Sequence, residues 1–151
     1  MPRMRRATLP AAALLAVTSA CATTVAVPAR ALDGADWHLV EIGGRPALVD
    51  VASPAGAPYL RFMNDSGRVV GSTGCNRLSG PFTRDGDTLR FGPLITTRVA
   101  CVEEARQTQE RDFLLALERT RRHAVAGDTL SLLGDAPDAP PLARLRATGE
   151  R

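Results

Sequence analysis

Apolar and polar residues alternate along several short runs of the chain, each bounded by turn-favouring residues. Leu60 and Phe62 share a face against Tyr59, Arg61 and Met63; Leu89 and Phe91 share one against Thr88 and Arg90; Leu130 and Leu132 share one against Thr129 and Ser131. A period of two marks strands with one face in a core, so these six apolar residues are predicted core positions. Gly43-Gly44, Asn64-Asp65-Ser66-Gly67, Asp85-Gly86 and Gly127-Asp128 separate such runs and supply the positive φ that tight hairpins demand. Trp37 to Ile42 is apolar on both faces, which predicts a strand covered on both sides or at a barrel seam. Pro46 to Pro58 and Gly134 to Pro141 read as loops.

The pattern changes at Val102 to Arg119, which holds no Gly or Pro, opens on Glu103-Glu104 and ends in Arg119, Arg121 and Arg122. Acids at the start and cations at the end suit a helix macrodipole. Val102, Ala105, Gln109, Phe113 and Leu117 step along one side, widened by Leu114 and Ala116. Gln109 interrupts the stripe, so the N-terminal half is expected to be the more exposed. The fold class that follows is α+β, mainly antiparallel β: a barrel-like β meander with one amphipathic helix packed against it.

Domain organisation follows from composition. Residues 1–20 read as a secretory signal: Arg3, Arg5 and Arg6, then an apolar run from Ala7, then the small residues Ser19-Ala20. Ala7 to Ala20 spans roughly 21 Å as a helix, short of the hydrocarbon core of about 30 Å. Cys21 follows Val17-Thr18-Ser19-Ala20, which resembles a bacterial lipobox and implies acylation of Cys21. Residues 21–32 then read as a flexible tether and 33–148 as one domain. The expected address is the periplasmic face of a bacterial membrane, the outer one favoured because Ala22 rather than Asp follows the cysteine. Cleavage after Ala29-Arg30-Ala31, an A-x-A site, is the alternative, and would leave a soluble periplasmic or secreted protein.

Removing the leader also changes the charge. All 19 basic residues are Arg, three of them in the leader, so the chain from Cys21 carries 16 Arg against 16 acids. A near-neutral protein whose six aromatics all fall on predicted core elements offers neither cationic excess nor a stacking platform for nucleic acid.

Cys75 and Cys101 lie 26 residues apart, one after a predicted strand and one before the helix. In an oxidising envelope a disulfide between them is worth about 2 to 4 kcal/mol; two buried thiols are the alternative. No C-x-x-C spacing exists and His38 and His123 lie near neither cysteine in sequence, so no metal site and no cofactor are expected.

Around these cysteines the chain resembles the META domain family, whose bacterial members include the HslJ-like heat-shock lipoproteins. The matching residues are Trp37-His38-Leu39 with Gly43-Gly44, Gly71-Ser72-Thr73-Gly74-Cys75-Asn76 with Ser79-Gly80, Thr96-Thr97-Arg98-Val99-Ala100-Cys101, and Glu110 with Phe113 and Leu117. The resemblance implies a compact antiparallel fold with one helix, similar to type III secretion pilotins, and envelope-stress or antibiotic-tolerance biology without an established reaction. Physically the motif reads as structural or as a binding edge: Gly74 and Gly80 permit close backbone approach, Asn76 hydrogen-bonds in a tight turn, and Thr97 is a strand residue with a locally bonded hydroxyl.

No catalytic constellation emerges. Gly71-Ser72-Thr73-Gly74 is not a G-x-S-x-G elbow, and Glu103-Glu104 diverge by about 100° on a helix. A hydrolase using Ser72 or Ser79 with His38 or His123 is the weakest alternative. The expected protein is a non-enzymatic, monomeric envelope domain held to a membrane through Cys21, with an envelope protein or an apolar ligand as its partner.

Overall fold

The computed structural model describes residues 29–49, 56–99 and 101–148. The leader, Cys21 and the first part of the tether lie outside the described residues. Ten strands and one helix follow in the order β1 (Asp36–Ile42), β2 (Arg45–Pro46), β3 (Tyr59–Met63), β4 (Arg68–Ser72), β5 (Arg77–Asp85), β6 (Thr88–Phe91), β7 (Ile95–Thr96), α1 (Glu104–Arg119), β8 (Arg122–Ala126), β9 (Thr129–Leu133) and β10 (Ala143–Thr148). The ladders between these strands are antiparallel. The described residues thus form a mostly antiparallel sheet with a single helix.

The hydrogen-bonded path β10-β9-β8-β6-β5-β4-β3-β1 returns to its start, because β1 also pairs β10 from Asp36↔Thr148 to Ile42↔Ala143. Its thinnest link is β6 to β8, where Thr88 pairs Arg122 and Leu89 N–H donates to Arg121 O at 3.0 Å. Gly43-Gly44 and Gly127-Asp128 turn the chain between consecutive strands, and the expected Asp85-Gly86 turn falls one residue later, at Gly86-Asp87, because Asp85 still pairs Thr88 in the ladder. Between β3 and β4 the turn is longer: Asn64–Ser66 makes a 3₁₀ turn that ends on Gly67 at φ +59°.

Strand alternation places the core. Leu60, Phe62, Leu89, Leu130 and Leu132 are buried as expected, and Phe91 is half-buried at the rim. β1 shows why its apolar pattern ran over both faces: the register slips between Leu39 and Glu41. Such a bulge adds one residue and reverses the phase of the strand. Trp37, Leu39 and Ile42 are therefore all buried while Val40 is 40% exposed.

α1 buries Gln109, Phe113, Ala116 and Leu117. It begins at Glu104, so Val102 of the expected stripe lies outside it and is 99% exposed; Ala105, in its first turn, is exposed as well. Glu103 is extended at φ −98°, and its carbonyl accepts from Arg106 and Gln107 N–H, both at 3.1 Å. At the other end, Arg121 Nη1 donates to the carbonyls of Glu118 and Thr120 at 2.7 and 2.8 Å, covering acceptors the helix leaves free.

Residues 30–32, assigned above to the tether, are part of the folded body. Leu32 is buried, its carbonyl accepts from Trp37 Nε1 at 2.7 Å, and Arg30 N–H donates to Gly127 O at 3.1 Å. A buried indole N–H needs an acceptor, and Leu32 supplies one together with an apolar side chain. No helix among the described residues is long and apolar enough to cross a membrane.

Candidate functional site

The turn that joins β4 to β5 brings the motif residues together. Gly74 stands at φ +93°, a conformation that a side chain would strain. Ser72 Oγ accepts from Gly74 N–H at 2.9 Å, and Thr73 N–H donates to Asn76 O at 2.8 Å. Thr73 Oγ1 accepts from Asn76 N–H at 2.9 Å and donates to Glu110 Oε1 at 2.7 Å. The turn is held by its own hydroxyls and by a carboxylate from the second turn of α1.

Asn76, only 5% exposed, is the hub. Its Oδ1 accepts from Val99 N–H at 2.7 Å and from Thr97 Oγ1 at 2.9 Å, while its Nδ2 donates to Glu110 Oε1 at 2.8 Å and to Val99 O at 3.2 Å. Both lone pairs and both protons of the amide are used, and the reverse orientation would aim its oxygen at the Glu110 carboxylate. Thr97 lies one residue beyond β7, and its hydroxyl reaches across 21 residues to Asn76 rather than bonding near itself in sequence. Gly80 serves by its size: a Cβ there would lie 2.7 Å from Pro93 O and from Leu94 Cδ2, so only glycine lets β5 pass beneath that loop.

Cys75 and Cys101 are joined in a disulfide with their Cα atoms 5.6 Å apart. Cys101 Sγ lies 3.6 Å from Glu110 Oε2, and both cysteines and Glu110 are half-buried. A disulfide sulfur carries no proton, so this is a close approach rather than a hydrogen bond. One face of the cluster thus holds a saturated amide network and the other a carboxylate oxygen aimed at sulfur.

The family model described as META domain matches residues 30–148. The chain belongs to the META domain family. Two solved structures share the fold. An NMR structure of a protein from Burkholderia xenovorans superposes with a TM-score of 0.60 at 23% identity, covering 88% of this chain and 99% of that one. A second NMR structure gives 0.58 at 20% identity, covering 76% of this chain and 90% of that one. A comparison with functionally curated proteins gave no match.

Within this META domain the other candidates lie apart. Ser72 is buried, with its hydroxyl on Gly74 N–H, and Ser79 Oγ accepts from Arg68 Nη2 at 2.7 Å. His38 stacks obliquely on Tyr59 with ring centres 5.7 Å apart, and His123 Nδ1 meets Asp87 O at 3.0 Å. Among the described residues no hydrogen bond joins either serine to either histidine.

Two polar residues of α1 carry more than their sequence setting suggested. Gln109, an interruption of the apolar stripe, is buried; its Oε1 accepts from Leu48 N–H at 2.6 Å and its Nε2 donates to Leu48 O at 2.9 Å. Glu110 matched the family pattern without a role of its own. Beside Gln109 two clefts of about 500 and 390 Å³ adjoin across the Arg45–Asp112 ion pair, which spans 2.6 Å. Ile42 floors both; Leu48 lines one, and Leu115 and Pro140 line the other.

Proposed function

We propose that this META domain is a non-enzymatic binding module, carried to the periplasmic face of a bacterial membrane and held there by acylated Cys21. Its partner on this reading is another envelope protein, which it binds or stabilises in envelope stress or antibiotic tolerance. The supporting observation is the double cleft beside α1. Leu48 is 44% and Leu115 48% exposed, one on each side of the Arg45–Asp112 pair. A polypeptide segment with apolar side chains flanking a polar group matches that order. The motif cluster serves this surface from behind, because Glu110 and Gln109 fix the part of α1 that forms one wall.

The test places a photocrosslinking residue at Leu48, Leu115 and, as a control on another strand, Met63 in the native host. Adducts from 48 and 115 to one envelope protein, absent from 63, support the reading; their absence overturns it. Cys21→Ser should move the protein from the membrane to the soluble fraction and remove acyl labelling.

A second reading, a pilotin-like carrier of an apolar ligand, draws on a different cleft. Phe91, Pro93, Leu94 and Leu114 line about 470 Å³ beside the C-terminal half of α1, within the range of ligand pockets. On this reading the closed sheet is a barrel whose interior is filled by Trp37, Phe62 and Phe113, so the ligand occupies the outside. Native mass spectrometry of detergent-free protein separates the two readings: a retained lipid supports the carrier.

A further inference from the structure

The Glu110 carboxylate is oriented as a ligand would be. Oε1 is held by Thr73 Oγ1 at 2.7 Å and by Asn76 Nδ2 at 2.8 Å, which leaves Oε2 pointing at Cys101 Sγ, 3.6 Å away, where no proton is available to it. Ligand atoms of Cys75, Cys101 and Glu110 all lie within 4.8 Å of one another. Two sulfurs and an oxygen suit a borderline or soft divalent cation of the zinc or cadmium class. Zn–S near 2.3 Å and Zn–O near 2.0 Å at a tetrahedral angle separate sulfur and oxygen by about 3.5 Å. The Cys101–Glu110 pair already stands close to that spacing, all three ligand atoms lie within 4.8 Å of one another, and the two sulfurs have to part to about 3.8 Å in the same geometry.

We propose that reduction of the Cys75–Cys101 disulfide converts this cluster into a binding site for one zinc-class divalent cation, with Cys75, Cys101 and Glu110 as protein ligands. The proposal is independent of the binding function above. The reductant is a dithiol. One of its thiolates attacks a protein sulfur, the Cys75–Cys101 bond breaks, and the released cysteine leaves as a thiolate. The second thiol of the reductant then closes on the mixed disulfide. The reductant loses two electrons and becomes a disulfide, and the protein gains them as two cysteine thiols. Metal binding displaces the two thiol protons and leaves a fourth position for water. Thr73 and Asn76 act behind the ligands, fixing the carboxylate so that Oε2 rather than Oε1 meets the metal.

The logic is that of a gate. Oxidised sulfur is a poor metal ligand, so the disulfide form is closed to the cation, and metal binding to the dithiol form opposes reoxidation. Neither state requires a new backbone path, because the cysteine Cα atoms stand 5.6 Å apart in the closed form.

The experiment uses the chain with Cys21→Ser, so that Cys75 and Cys101 are the only thiols. Reduced protein under argon is titrated with Co²⁺ and then Zn²⁺. The expected result is one Co²⁺ per chain, with a thiolate-to-cobalt charge-transfer band and the strong visible bands of tetrahedral coordination, both removed by Zn²⁺ and absent from the oxidised protein. Glu110→Gln retains both thiols and should weaken Co²⁺ binding about tenfold or more, whereas Glu103→Gln should leave it unchanged. Circular dichroism reports the fold throughout. A reduced protein that unfolds and is refolded by Zn²⁺ supports the site. A folded reduced protein without the band, an unfolded one that metal does not restore, or a Glu110→Gln variant that binds like the parent overturns it.

Discussion

Along α1, the first half and the second meet the sheet by different means. Gln109 and Glu110 reach loops through hydrogen bonds that use Leu48, Thr73 and Asn76, and the disulfide adds a covalent tie just before the helix begins. Phe113, Ala116 and Leu117 instead fill the interior and make no directional bond with it. The first half can be exposed at Glu104 and Ala105 and still be fixed in place, because a saturated polar network specifies geometry with little buried area. The apolar half supplies the free energy and tolerates small shifts. Position and stability are therefore assigned to different stretches of one element.

That division can be broken from either side. The largest loss is expected from Phe113→Ala, about 3 to 5 kcal/mol in denaturant unfolding, since an aromatic ring leaves a cavity in a filled interior. An intact network should leave the amides of residues 73–76 protected in that variant at subdenaturing conditions. Replacing Cys75 and Cys101 together by Ser should cost about 2 to 4 kcal/mol and keep the fold. Amide exchange should then accelerate first around Cys75 and Val102, before the Phe113 half responds. Equal acceleration along all of α1 would remove the distinction between the halves.

Asn76→Ala should cost about 2 to 3 kcal/mol by removing all four hydrogen bonds of a buried amide, one of them to Glu110 Oε1. Asn76→Asp sharpens the comparison: it keeps an acceptor for Val99 but loses both donors and sets a second carboxylate against Glu110. Its loss should exceed that of Asn76→Ala at neutral pH and shrink toward pH 4 as one carboxyl takes a proton. Thermal melts of the two variants across that range decide the point.

The smallest effect belongs to an exposed pair outside α1. Arg61 makes a two-pronged contact with Asp36, at 2.5 and 2.6 Å, whose hydrogen bonds and then charge raise the arginine pKa above its already high ordinary value. A folded-state value above the unfolded one stabilises fully below the ordinary arginine range and is lost only as pH rises through the folded value. Arg61→Ala should therefore cost no more than about 1 kcal/mol, constant from neutral to mildly alkaline pH.

The sequence made the hairpins legible because each turns on a glycine, beside a second glycine at Gly43-Gly44 and beside an aspartate at Gly86 and Gly127, a local requirement. Leu60, Phe62, Leu130 and Leu132 were legible for a similar reason: alternation reports a buried face without knowing what buries it. The disulfide partners could be read from number and position. Glu110 could not, since its partners lie 34 and 37 residues upstream and meet it only when the sheet has curled and α1 has docked. The burial of Gln109 itself was illegible for the complementary reason. A polar residue in an apolar stripe implies exposure unless a backbone segment 61 residues away presents both a donor and an acceptor, as Leu48 does. Val102 failed as a core position because the helix starts two residues later, at Glu104.

The pairing of β1 with β10 sets an order in time. Contacts between Asp36 and Thr148 span nearly the whole domain, and such separations slow folding because a long loop must close before they form. During synthesis β1 emerges first and its neighbour on that edge emerges last, so the edge of β1 stays unsatisfied until residues 143–148 have left the ribosome. The ring of hydrogen bonds therefore closes only when residues 143–148 dock on β1, however early the other strands have paired.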